Sequence, residues 1–222
     1  MSPPVRNKSL INVVLFDFGG VVTTSPFEAF ARYEKDVGAP PDSIRRINST
    51  NSDDNAWAKM ERSEVSTAEF CELFEAEAAE LGLELSGQKV LECLSGTVRP
   101  QMVRALEILR TRIRIGCITN NMKSGHGTGM SRTSEQAASI AQIMEMFEVV
   151  VESAKVGLRK PDVRIYEMAC SELGVEPRNC AYLDDLGINC KPAASLGMVA
   201  IKVVDPDVAL NDLEKVVGFP LR

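Results

Sequence analysis

Five short apolar stretches punctuate the chain: Val13-Val14-Leu15-Phe16, and residues 114–119, 147–152, 180–184 and 198–203. Rich in Val, Ile, Leu, Phe and Cys, and too short for core helices, they read as strands buried on both faces of a parallel sheet. Helical periodicity fills the intervals at 98–111, 133–146, 163–173 and 187–196, with Gly174, Pro177 and Gly197 supplying breaks. Strand alternating with helix means βαβ units. The pattern predicts an α/β fold, a doubly wound Rossmann-like parallel sheet with helices on both faces.

Residues 25–97 break that rhythm, with no convincing strand. Ser66-x-x-Glu69 is a capping box opening a helix with Phe70, Leu73, Phe74 and Leu81 on one face. Shorter helices are predicted over 27–37, 42–48, 55–62 and 87–94. The segment reads as an all-helical cap inserted after the first strand, with 1–24 and 98–222 forming the core. A helical subdomain without influence on catalysis is the plainer alternative. The Gly/Ser-rich run 121–134 predicts a mobile loop.

Composition adds limits. At 222 residues, 45% hydrophobic and 25% charged, the chain has ordinary globular composition and enough apolar mass for a substantial core. A net charge of −6 argues against general binding to nucleic acid or acidic membranes. The six cysteines include no CxxC pair and sit mostly in apolar stretches, which predicts reduced thiols. The first residues lack the apolar core of a signal peptide, and no apolar run reaches ~18 residues. A cytoplasmic location is therefore expected.

The chemistry starts at Asp17. A carboxylate ending a buried strand is costly unless it faces a crevice or a cation. The carboxyl edge of an open α/β sheet is where ligands bind. Taken alone, Asp17 could simply start a turn. Asp17-Phe18-Gly19 also matches the kinase tripeptide, but neither a Gly-rich loop nor a His-Arg-Asp loop precedes it. Three further signals fall at predicted strand ends or at a helix start: Thr119-Asn120, Lys160-Pro161 opening a helix after Gly157, and Asp184-Asp185. A parallel sheet brings such ends to one edge. A cation, a hydroxyl and three carboxylates there suit phosphoryl chemistry. The carboxylates can hold Mg²⁺. Thr119 and backbone amides can cradle phosphate oxygens, and Lys160 can neutralise charge. Asp17 is then available as a covalent nucleophile.

The order Asp17-Phe18-Gly19-Gly20-Val21, Ile118-Thr119-Asn120-Asn121, Val156-Gly157-Leu158-Arg159-Lys160-Pro161 and Tyr182-Leu183-Asp184-Asp185 resembles the haloacid dehalogenase-like hydrolase superfamily. It is most similar to the branch holding the amino-terminal phosphatase domain of soluble epoxide hydrolase and related domains of fused acyl-CoA dehydrogenases. Trp57-x-x-x-Glu61 through Phe70 also resembles that branch. The resemblance implies a Mg²⁺-dependent phosphatase acting on a small phosphorylated metabolite through an aspartyl-phosphate. It implies Asp17 as nucleophile, Thr119 and Asn120 as the phosphate-binding pair, and Lys160 as the lysine stabilising nucleophile and phosphoryl group. It further implies Asp17, Asp185 and the Gly19 carbonyl as metal ligands, with Asp184 a ligand or an orienting partner.

Gly19 departs from the pattern. Most phosphatases of the superfamily carry a second Asp there, which protonates the leaving alkoxide and then activates water. General acid–base help is typically worth ~10²–10⁴-fold. Water, His126 or a cap residue such as Glu61 are the available substitutes. Two other readings stay open: a catalytically poor domain that binds phosphorylated ligands or partners, and a 2-haloacid dehalogenase, which the acidic pair disfavours. His126, Lys155 and Arg159 read more simply as solvated groups, and Trp57 as core of the cap.

Overall fold

The computed structural model describes residues 11–121 and 134–222. His126 and nearly all of the predicted 121–134 loop lie outside the described residues. The chain opens with β1 (Val13–Phe16) and then runs through five helices: α1 (Phe27–Asp36), α2 (Ser43–Ser49), α3 (Ala56–Glu61), α4 (Thr67–Glu80) and α5 (Gly87–Glu92). α6 (Pro100–Leu109) leads to β2 (Arg114–Thr119), α7 (Ser134–Met144) to β3 (Val149–Glu152), and α8 (Ser153–Val156) and α9 (Val163–Glu172) to β4 (Cys180–Asp184). α10 (Gly187–Ser195), β5 (Val199–Lys202) and α11 (Pro206–Val217) complete it.

The five strands form one parallel sheet in the order β3-β2-β1-β4-β5. Alternation along β1 divides the core as its pleat requires. Val14 and Phe16 pack with Leu106, Leu109 and Leu210 beneath α6 and α11, while Val13 and Leu15 pack with Ile165, Tyr166 and Tyr182 beneath α9. All five predicted strands are present, and so is the two-sided helical cover.

The helices between β1 and α6 gather around their own apolar cluster of Phe30, Ile44, Met60, Phe70, Phe74 and Val90. The capping box forms: Ser66 N donates to Glu69 Oε2 at 2.8 Å, and Glu69 N to Ser66 Oγ at 3.3 Å. The buried face of α4 is Phe70, Phe74 and Ala78, whereas Leu73 turns towards solvent at 37% exposure. Spacings of four put Phe70, Phe74 and Ala78 on one stripe, and Leu73 falls at its margin. Buried Glu34 caps α2 from outside, accepting from Asp42 N at 2.9 Å and Ile44 N at 2.8 Å.

The chain enters and leaves this segment side by side. Thr23 bridges Val98, Thr24 N donates to Thr97 O at 2.8 Å, and Arg99 N to Val22 O at 2.9 Å. Among the described residues no helix is long and apolar enough to cross a membrane. The six cysteines are thiols, with Cys170 and Cys180 Sγ 3.9 Å apart.

Candidate active site

Register sets the site. β1 and β4 pair from Val13↔Cys180 to Phe16↔Leu183, and Asp17 N continues the ladder to Leu183 O at 2.8 Å. Asp17 and Asp184 therefore leave the sheet as neighbours. β2 flanks β1 on its other side and brings Thr119, buried at its carboxyl end. Lys160 does not open its helix as expected from Pro161. It sits in the turn before α9, whose N-cap is Asp162, accepting from Arg164 N.

Lys160 is buried, and its Nζ lies 2.8 Å from Asp17 Oδ1 and 2.8 Å from Asp184 Oδ2. Burial alone would lower its pKa, but the two carboxylates outweigh it and hold the ammonium well above its ordinary range. The Asp17 pKa is raised as well, which for a carboxylic acid disfavours the charged form. Burial raises it, Lys160 opposes, and Asp184 and Asp185 raise it further.

Asp184 is fully buried and heavily engaged. Oδ2 accepts from Lys160, from Tyr182 OH at 2.5 Å and from Asn189 Nδ2 at 3.1 Å, while Oδ1 accepts from Leu186 N at 2.8 Å and the same Asn189 amide at 3.1 Å. Such saturation suits an orienting role for Asp184 better than metal ligation. Asp185 turns instead towards Gly20 and accepts from Ser25 Oγ at 3.1 Å. A Cβ on Gly20, whose φ is +82°, would fall 2.2 Å from Asp185 Oδ2.

One oxygen from each of Asp17, Asp184 and Asp185 can be chosen so that all lie within 4.8 Å of one another. Three carboxylates against the Lys160 ammonium leave an excess of negative charge. Burial and then Asp184 push the Asp185 carboxyl up to about 6. A compact, oxygen-only, over-negative donor set fits a hard divalent cation. Gly19 stands beside it, exposed, and a Cβ there would have no heavy atom within 4 Å.

The Asn120 side chain is committed to Lys160. Its Oδ1 accepts from Lys160 N at 2.8 Å, and its Nδ2 donates to Lys160 O at 3.1 Å and to Glu61 Oε2 at 3.2 Å. Glu61, on α3, is buried and also accepts from Trp57 Nε1 at 3.1 Å and Arg159 Nε at 2.6 Å. Trp57 is held edge-to-face against Phe30 and Phe70. Arg159 is no surface charge, since Nη1 also donates to Ser52 O at 2.6 Å. Lys155, by contrast, is exposed and pairs with Glu152. Sequence reasoning missed Arg159, Asn189 and Ser25. Only Asn189 carried a signal, as an amide one helical turn past the acidic pair.

The haloacid dehalogenase-like hydrolase family matches residues 11–197. The chain belongs to that family. It is 31% identical to acyl-CoA dehydrogenase family member 10 of Mus musculus over 94% of this chain and 19% of that protein. It is 28% identical to bifunctional epoxide hydrolase 2 of Sus scrofa over 95% of this chain and 40% of that protein. The chain thus spans less than half the length of these two relatives. Phosphatase MT3486 of Mycobacterium tuberculosis is 28% identical, with 87% of each chain covered. Among solved structures, a family enzyme of Bacteroides thetaiotaomicron in complex with magnesium and inorganic phosphate superposes with a TM-score of 0.57 and 18% identity, over 86% of this chain and 93% of that one. That likeness speaks for the fold. The four polar signals of the family member thus converge on one sheet edge, with Lys160 at their centre.

Proposed function

We propose that this hydrolase is a magnesium-dependent phosphatase that cleaves a small phosphate monoester through an aspartyl-phosphate. The observation that carries the reading is the buried Lys160 ammonium held against Asp17 within a three-carboxylate edge. Similarity to a named phosphatase over most of both chains supports it. Residues 25–97 are read as a cap over a core of 1–24 and 98–222.

An Asp17 carboxylate oxygen attacks phosphorus while the ester P–O bond breaks. Lys160 orients Asp17, opposes the upward push that burial gives its carboxyl, and sits where it can offset charge on the phosphoryl oxygens. The Thr119 hydroxyl and neighbouring amides accommodate those oxygens. Gly19 has no proton to give, so the departing alkoxide takes one from water. Water then attacks the aspartyl-phosphate, releasing phosphate and restoring Asp17. Asp17, Asp185 and the Gly19 carbonyl would hold the magnesium, with Asp184 beside them. When bound, the ion supplies neutralisation of carboxylate and phosphate charge.

The missing side chain at Gly19 favours one second reading, a domain that binds phosphorylated ligands and turns them over poorly. A 2-haloacid dehalogenase is a third, which needs no metal and which the acidic pair Asp184-Asp185 therefore disfavours. The test is p-nitrophenyl phosphate hydrolysis with and without Mg²⁺, for wild type and Asp17→Asn, with halide release from 2-chloropropionate run alongside. Mg²⁺-dependent turnover lost in the variant is the expected result. Phosphate binding without turnover supports the second reading, and metal-free halide release the third.

A further inference from the structure

The Lys160 turn is held from across the molecule. Asn120 grips both the N–H and the C=O of Lys160, and Asn120 in turn donates to Glu61 on α3. The residue preceding Lys160 is tied to the same carboxylate, with Arg159 Nε 2.6 Å from Glu61 Oε2. Arg159 also donates to Ser52 O at 2.6 Å, and Ser63 Oγ to Ala154 O at 3.0 Å. The bonds to Glu61 and Ser52 and the one from Ser63 join residues between β1 and α6 to Asn120, Ala154 and Arg159 of the core. Glu61 is their hub: Oε1 is taken by the Trp57 indole and Oε2 by Arg159 and Asn120. Three accepted bonds commit both carboxyl oxygens to holding neighbours, and the Arg159 guanidinium opposes the upward push that burial gives the Glu61 pKa.

We infer that Glu61 is a positioning residue of the active site, which fixes the Lys160 turn through Asn120 and Arg159 and so makes delivery of the ammonium to Asp17 depend on the seating of α3. The consequence for turnover rests on the phosphatase reading. The consequence for order of the Lys160 turn does not. This role differs from that of a replacement general acid, which Glu61's placement in the cap had also suggested. A misplaced catalytic group can cost about 10²-fold in rate. A positioning defect lowers the rate for every ester alike, whereas loss of a proton donor is felt most where the leaving group is poor.

Two readouts on Glu61→Gln test this. The first is amide exchange at Lys160, whose N–H donates to Asn120 Oδ1, with the β1 and β4 amides as internal controls. Faster exchange at Lys160 with unchanged β1 and β4 is expected, and an unchanged Lys160 rate would overturn the proposal. The second is kcat with p-nitrophenyl phosphate and with glycerol phosphate. A similar loss on both, about 10²-fold, is expected, and a loss confined to glycerol phosphate would overturn it. If Glu61→Gln melts far below wild type, Arg159→Lys carries the same readouts, because it keeps the counter-charge while giving up the guanidinium fork. A wild type without turnover would sink the phosphatase reading alone and leave the exchange measurement to decide the role of Glu61.

Discussion

Lys160 Nζ lies 2.8 Å from Asp17 Oδ1, inside the protein. Removing one member of a buried ion pair usually costs about 3–5 kcal/mol, because the other charge is stranded. Here Asp184 stands on the far side of the same ammonium at 2.8 Å. Asp17→Asn should therefore leave the fold standing, with a melting temperature near that of the wild type. Its turnover of p-nitrophenyl phosphate should fall by about 10⁶-fold, as when a nucleophile is removed. Substantial residual Mg²⁺-dependent turnover would remove Asp17 from that role.

Asp184 is the opposite case. Its oxygens satisfy Lys160, Tyr182, Leu186 and Asn189 at once. Asp184→Asn puts an amide donor among donors and weakens the hold on a buried ammonium. A stability loss of about 3–5 kcal/mol is expected. Chemical denaturation would read it directly, and a loss under 1 kcal/mol would show that the network repacks.

At Gly19 the structure leaves room for the missing acid, since a Cβ there meets no heavy atom within 4 Å and the backbone needs no positive φ. Gly19→Asp should leave stability within about 0.5 kcal/mol of the wild type, as for other exposed positions. Turnover of alkyl phosphates should rise, within a ceiling of about 10²–10⁴-fold. Aryl phosphates with good leaving groups should gain far less. Equal gains on both classes would show that proton donation is not what the new carboxylate supplies.

Gly20 has no such freedom. Its φ of +82° alone costs an L side chain about 1–2 kcal/mol. A methyl would also strike Asp185 Oδ2, 2.2 Å from the ideal Cβ position. Gly20→Ala should displace Asp185 and weaken Mg²⁺ binding by more than it lowers the melting temperature. Isothermal titration with Mg²⁺ would measure this, and wild-type affinity in the variant would show that Asp185 is not a ligand.

The strands and most helices were legible because each is written locally, as an apolar run or a 3.6-residue stripe between Gly, Pro and capping residues. Four site positions were legible for a related reason. Parallel strands must end at one edge, so Asp17, Thr119 and Asp184-Asp185 could be placed together before any contact was known. What stayed hidden depends on long-range packing. Nothing near Arg159 shows that its partner is Glu61, 98 positions away. Nor does anything beside Asn120 show that its amide is spent on the Lys160 backbone. α11 is different, because it goes unread although Asp205-Pro206 is a legible start: Asp205 caps the helix and Pro206 occupies its first turn.

The acidic edge also sets how stability depends on pH. Asp185 is pushed up to about 6, above the usual carboxylate value near 3.8, by burial and by Asp184. Between those values the folded metal-free protein keeps a proton that the unfolded chain has released. Folding is therefore favoured at low pH in this window, and the contribution is lost as pH rises through about 6, a swing of up to about 3 kcal/mol. Asp17 is raised in the same direction and adds to it. A divalent cation stabilises the ionised carboxylates and works against the slope. In EDTA the melting temperature should fall between pH 5 and 7.5, and millimolar Mg²⁺ should raise it more at pH 7.5 than at pH 5. Asp185→Asn should flatten the first effect and shrink the second. A metal-free melting temperature independent of pH across this range would mean that Asp185 is ionised throughout, and that the cluster holds its charge without an ion.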